Sequence, residues 1–256
     1  MEMIFAVMDP QVFAVAMMIA LLAGVIKGIV GFAMPMIMIS GLSSLISPEL
    51  ALAGLIVPTL LANGWQALRQ GPHAAWQSVA QFRVFLGVGL AMLLISSQLV
   101  RVLPASVLLM GIGAPVALFA VLQLLGWQLR LPDKKRGWIE AAIGGFAGFI
   151  GGMSGVWGPP TVAYLTALGT PKRDHIRVQG VVYGLGAVAL FGAHIGSGVL
   201  RAQTLPFSLA LVFPSILGMW VGLQVQDRID HVIFRRATLA VLLIAGLNLV
   251  RRGMVG

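Results

Sequence analysis

The chain reads as an all-α polytopic membrane protein of about eight transmembrane helices, drawn from two homologous halves whose helices are interrupted by glycine and proline. Three observations predict this. Hydrophobic residues fill 59% of 256 positions and charged residues only 10%, where an average soluble domain is about a quarter charged. Apolar segments of span length recur along the chain. A glycine-rich element near the N-terminus returns, in register, past the midpoint. With a mean hydropathy of +0.96, these side chains cannot be hidden from water, so their solvent is lipid. At 27.0 kDa there is room for one transmembrane domain over residues 1–256 and no separate soluble module.

The elements follow in order. A span needs about 20 mostly apolar residues. The first candidate covers 11–33. The residues before it, Met1 to Pro10, lack the basic n-region of a signal peptide, and the apolar run is too long for a cleaved h-region, so it reads as a retained span. The stretch 34–47 follows directly and is too short to cross as a straight helix. Segments 50–68, 84–101 and 104–127 complete a first repeat of about 10–128. A second repeat, about 137–252, runs through 138–157, the short stretch 158–169, then 176–198, 205–225 and 232–250. Pro48, Gly71-Pro72, Pro104, Pro132, Pro171 and Pro206 punctuate the boundaries.

Charge and cysteine usage narrow the classes. The net charge of +9 and pI near 11.3 would suit a nucleic-acid protein if the cations clustered on one solvated face. Instead they fall almost entirely in short gaps: Arg69, Arg101, Arg130, Lys134-Lys135-Arg136, Lys172-Arg173, Arg201, Arg235-Arg236 and Arg251-Arg252. Such cations hold spans against the membrane faces, so the partner is the lipid bilayer and not nucleic acid. With eight spans one face carries nine Lys and Arg and the other seven, which leaves the side of the N-terminus open. No cysteine is present, which excludes disulfides, thiolate metal sites and cysteine nucleophiles.

The repeat carries the functional argument. At a shift of 124, Ala23-Gly24-Val25-Ile26-Lys27-Gly28-Ile29-Val30-Gly31-Phe32-Ala33-Met34-Pro35 falls on Ala147-Gly148-Phe149-Ile150-Gly151-Gly152-Met153-Ser154-Gly155-Val156-Trp157-Gly158-Pro159, identical at six of thirteen positions without a gap. Glycine and proline inside an apolar segment release backbone groups that lipid cannot satisfy, and such breaks survive only where protein or a watery cavity covers them. Interruptions at matching places in two halves point to a transporter binding site. The plainer reading is close helix packing through small residues, and the spacing of Gly24/Gly28 and of Gly148/Gly152 fits it. We expect packing to account for some glycines, and the two proline-bearing breaks to fold against each other as a polar pocket.

All eight acids lie outside the spans or at their edges, whereas cation and proton carriers usually hold a carboxylate mid-membrane. Lys27 is the one ionisable group deep in an apolar stretch. An isolated buried cation is costly, so it finds an anion or reaches water. It either draws a small anionic substrate, aided by helix N-termini, or snorkels to the interface from the end of the first span. Its repeat mate is Gly151, so the charge is one-sided. Substrate-binding candidates are therefore Lys27, Gly28, Gly31 and Pro35 at the first break, and Gly152, Ser154, Gly155, Trp157 and Pro159 at the second. Asn63, Gln66, Gln179 and Tyr183 join them from later spans, although each alone fits a helix–helix hydrogen bond as well. His194 is a candidate for proton coupling, and Arg83 and Arg177 for anchoring or for guiding an anion inward.

The duplicated breaks, Gly24 to Gly31 leading to Pro35 and Gly148 to Gly155 leading to Pro159, resemble the sulfite exporter TauE/SafE family over most of the chain. The resemblance implies a permease of the bacterial inner membrane, usually outward, for a small sulfur-containing or organic anion such as sulfite or a sulfonate. It implies neither an enzyme nor a cofactor, and leaves a homodimer open. The chain departs from the family's denser glycine cluster at Phe32-Ala33-Met34 and Val156-Trp157-Gly158, which points to an altered pocket that bulky Trp157 lines. No Gly-x-x-x-x-Gly-Lys-Ser/Thr pattern occurs, so ATP does not drive the chain directly.

Two rivals belong to other classes. Gly152-Met153-Ser154-Gly155 with His194 fits an intramembrane serine protease of rhomboid type, but the same glycines recur at Gly28 and Gly31 with Val30 in place of the serine, so the pattern belongs to the repeat. A passive anion channel needs a continuous polar lining, and the polar residues here are few and local.

Overall fold

In the computed structural model residues 9–42, 44–99, 105–127, 136–154, 158–196 and 199–255 are described. Among them there are eleven α-helices and no strand. They are α1 (Pro10–Val30), α2 (Met34–Leu42), α3 (Pro48–Leu68), α4 (Pro72–Gln81), α5 (Arg83–Leu99), α6 (Ala105–Leu124), α7 (Arg136–Ser154), α8 (Gly158–Ala167), α9 (Lys172–Gly196), α10 (Leu205–Arg228) and α11 (His231–Val255). Helix starts follow local chemistry. Asp9 accepts from the Gln11 N–H at 2.7 Å and Ser47 from the Leu50 N–H at 3.3 Å, each capping a helix whose first turn holds a proline.

Four helices among the described residues are long and apolar enough to cross a membrane: Pro10–Val30, Leu50–Leu68, Leu205–Arg228 and His231–Val255. Pro72–Gln81 and Arg83–Ser96, bent by 78°, make a fifth if they act as one span. This count is lower than the eight expected from hydropathy. Both stretches judged too short to cross do contain short helices, α2 with 9 residues and α8 with 10.

The chain divides into two compact units, Met1–Arg69 with Gly180–Asp230, and Gln70–Gln179 with His231–Gly256. In the first unit α1 packs along α10 through facing glycines. A Cβ on Gly24 would fall on the Ser215 carbonyl oxygen, and one on Gly28 would lie 2.7 Å from the Gly222 Cα. One on Gly218 would reach the Leu21 carbonyl oxygen. Only glycine lets these backbones approach so closely. Around this seam Ala16, Ala20 and Ala23 of α1 meet Met34 and Met38 of α2, Ala51 and Ala62 of α3, and Phe207, Leu211 and Met219 of α10. Pro58 interrupts α3, and its missing N–H would orphan the Gly54 carbonyl. Ser208 of α10 donates its hydroxyl to that carbonyl at 3.2 Å and accepts from the Val57 N–H at 3.2 Å.

In the second unit the same device joins other helices. Gly148 of α7 meets Gly89 of α5, where a Cβ would lie 2.7 Å from the Gly89 Cα. Gly113 of α6 faces Gly246 of α11, with an added Cβ 2.6 Å from its carbonyl oxygen. Tyr164 of α8 stacks on Phe85 with ring centroids 5.5 Å apart and meets Phe82 edge-on at 6.5 Å. Its hydroxyl donates to Glu140 at 3.2 Å. The sequence places Glu140 at the edge of a span; it lies one turn into α7 and is buried.

Candidate functional site

The site lies in the first unit, where α1 stops and α2 starts. Helix α1 ends because Gly31 takes the left-handed conformation, φ 86°, with its N–H still bonded to the Lys27 carbonyl at 2.7 Å. Two residues on, Ala33 has φ 72°, a region that L side chains rarely enter. The chain turns through Gly31, Phe32 and Ala33 before α2 begins, and Phe32, Ala33 and Met34 are buried. Among the described residues no hydrogen bond takes the backbone N–H of Phe32, Ala33 or Met34. Three buried residues in a row at the N-terminal end of α2 thus keep backbone donors without an acceptor among the described residues.

Lys27 stands one turn before the break on the face of α1 that carries Ala16, Ala20, Ala23, Gly24 and Gly28. That face points into the protein, and the lysine is only 2% exposed. Its ammonium donates to Asn63 Oδ1 at 2.6 Å and to the Gly31 carbonyl at 3.4 Å, and lies 5.9 Å from the centre of the Tyr183 ring. Gln66 donates its amide to the same Gly31 carbonyl at 3.1 Å. Asn63 and Gln66 sit three apart on α3, so one helix face presents both carboxamides. Tyr183 comes from α9, which reaches α3 closely because Gly180 lies against Ala67, where a Cβ would be 2.5 Å from the Ala67 nitrogen. Among the described residues every partner of Lys27 is neutral. The Nδ2 group of Asn63, itself 2% exposed, donates to no acceptor there.

The structure therefore brings Lys27, Gly31, Asn63, Gln66 and Tyr183 together. Gly28 belongs to the seam with α10, and Pro35 sits in the first turn of α2, half-buried. Gln179 is in the second unit, wholly buried, with neither atom of its carboxamide hydrogen-bonded among the described residues. Pro159 is buried in the first turn of α8. Gly152 and Ser154 fall in the last turn of α7 and His194 in the last turn of α9, with their surroundings outside the described residues. Gly155 and Trp157 also lie outside the described residues. Arg177 is held by Ser78 at 2.8 Å, by Gln70 and by Asp174 at 2.9 Å, the geometry of an anchor. Arg83 is exposed at the start of α5.

Sequence reading missed the backbone donors at Phe32 to Met34 and the buried pair Glu140–Tyr164. A glycine four residues before a proline signals a break, but which amides it leaves without acceptors depends on the dihedrals on either side.

Comparison with known proteins gives one family: the model described as sulfite exporter TauE/SafE matches residues 16–249. No curated protein and no solved structure matches the chain.

Proposed function

The chain belongs to the TauE/SafE sulfite exporter family, and from that premise we propose that it is a secondary transporter carrying a small sulfur-containing or organic anion, such as sulfite or a sulfonate, outward across the bacterial inner membrane, with Lys27 and the break at Gly31 as its binding site. One observation carries the reading: a fully buried ammonium whose described partners are all neutral, beside the Asn63 Nδ2, which has no acceptor among the described residues. A buried cation without a counter-charge is costly, and an anion resting on it supplies the missing charge.

Each neighbour has a part in that act. The ammonium attracts the anion, and the N-terminal end of α2, which starts at Met34, adds a positive partial charge. Asn63 supplies a side-chain donor through Nδ2. The Gly31 carbonyl would repel an anion, and the bonds from Lys27 and Gln66 hold it in another engagement. The Tyr183 ring covers one side of the ammonium. Export agrees with the energetics, since a cell interior negative by about 100 mV favours loss of each negative charge by about 2.3 kcal/mol.

Thermal unfolding of the purified protein against sulfite, sulfonates and simple carboxylates tests the reading. An anion at about 100 times its Kd stabilises by about 2.7 kcal/mol. Lys27→Met, similar in length and uncharged, loses that response. A variant that responds as fully as the wild type would overturn the assignment of Lys27.

A further inference from the structure

Resting on that reading, we propose that the Lys27 site selects by charge: it takes singly charged oxyanions and turns away dianions of the same size and shape.

Charge balance in a buried place leads there. Lys27 is the only lysine or arginine among the described residues that is fully buried. Asn63, Gln66, the Gly31 carbonyl and the Tyr183 ring bring dipoles to it but no net charge. The start of α2 adds a partial charge, worth about half an elementary charge at most. With a monoanion bound, the local sum is close to zero. A dianion leaves close to a full negative charge beside an ammonium that is only 2% exposed, and an unbalanced charge in such a buried place bears the desolvation penalty that drives buried ions to pair. Donor number agrees. The Lys27 ammonium and Asn63 Nδ2 suit the oxygens of one sulfonate, hydrogensulfite or carboxylate group. No second cation stands ready for another charge among the groups described around Lys27.

The test compares anions matched in shape and different in charge. Methanesulfonate and sulfate are titrated separately into the full-length protein in detergent, with binding read by calorimetry and by thermal unfolding. Methanesulfonate is expected to bind about a hundredfold more tightly than sulfate. A second measurement follows sulfite across neutral pH, where it exchanges its dianion for hydrogensulfite, with methanesulfonate, which keeps one charge throughout, as the control. The affinity for total sulfite should rise relative to methanesulfonate as the pH falls. In Asn63→Asp the new carboxylate pairs with Lys27, and methanesulfonate binding should be lost.

Equal affinity for methanesulfonate and sulfate, or a preference for sulfate, overturns charge selection while leaving Lys27 as an anion site. Binding that persists unchanged in Lys27→Met, or an absence of binding by both anions, overturns the site itself. The pH series decides independently of the variants: a sulfite-to-methanesulfonate ratio that does not move with pH also overturns charge selection.

Discussion

Lys27 poses the question that any buried ammonium poses, namely what compensates its loss of water. Asn63 Oδ1 at 2.6 Å and the Gly31 carbonyl at 3.4 Å satisfy its donors, yet neither cancels its charge. Lys27→Met should therefore unfold at the same temperature as the wild type or a higher one, because removing a poorly compensated buried charge is neutral or stabilising. Transport should fall to background in the same variant. The two measurements together separate a binding group from a structural one, since a lysine needed only to hold the break would cost stability when removed. Ser208 is the opposite case. It serves the carbonyl that Pro58 leaves behind, so Ser208→Ala should lower stability by about 1–3 kcal/mol in chemical or thermal unfolding without altering which anion is carried. An unchanged unfolding midpoint would mean that water serves the Gly54 carbonyl instead. Lys27 stands out in the sequence as a charge in an apolar run. Ser208 does not, because its partner lies 154 residues away.

The helices show what the repeated glycines are for. Gly24 and Gly28 are contact points with α10, and Gly148 is one with α5, while Gly31 makes the break. These roles predict different penalties. Gly24→Val places a branched side chain on the Ser215 backbone, and such overpacking costs about 1–3 kcal/mol or more. Gly31→Ala meets the left-handed conformation at φ 86° and costs about 1–2 kcal/mol for that reason alone. Gly87→Ala in α5 has nothing within 4 Å of the added carbon and should stabilise by about 0.5–1 kcal/mol. Thermal unfolding of the three variants orders them, and a costly Gly87→Ala would contradict the packing described. Ion pairs at helix ends matter less. Arg69 bonds to Asp227, with side chains 31% and 40% exposed, and Asp227→Asn should shift stability by less than about 1 kcal/mol.

At the scale of the chain, each compact unit is built from segments distant in sequence. In the first, α1 packs on α10; in the second, α7 packs on α5. Composition and hydropathy were enough to read an all-helical chain rich in apolar helices, because lipid demands both apolar side chains and internally satisfied backbones. They also located the break at Gly31, where a glycine stands four residues before Pro35, whereas the second, at 155–157, lies outside the described residues; and they singled out Lys27, Asn63, Gln66 and Tyr183 as polar exceptions. Periodicity shows that a residue lies on a certain face of its helix but never which helix that face meets. Lys27, Asn63 and Tyr183, spread over more than half of the chain, reach one point only because glycines let α1, α3, α9 and α10 pack backbone against backbone. That packing alone decided that Lys27 is buried among neutral partners rather than extended toward an interface, because burial depends on neighbours that are distant in the chain.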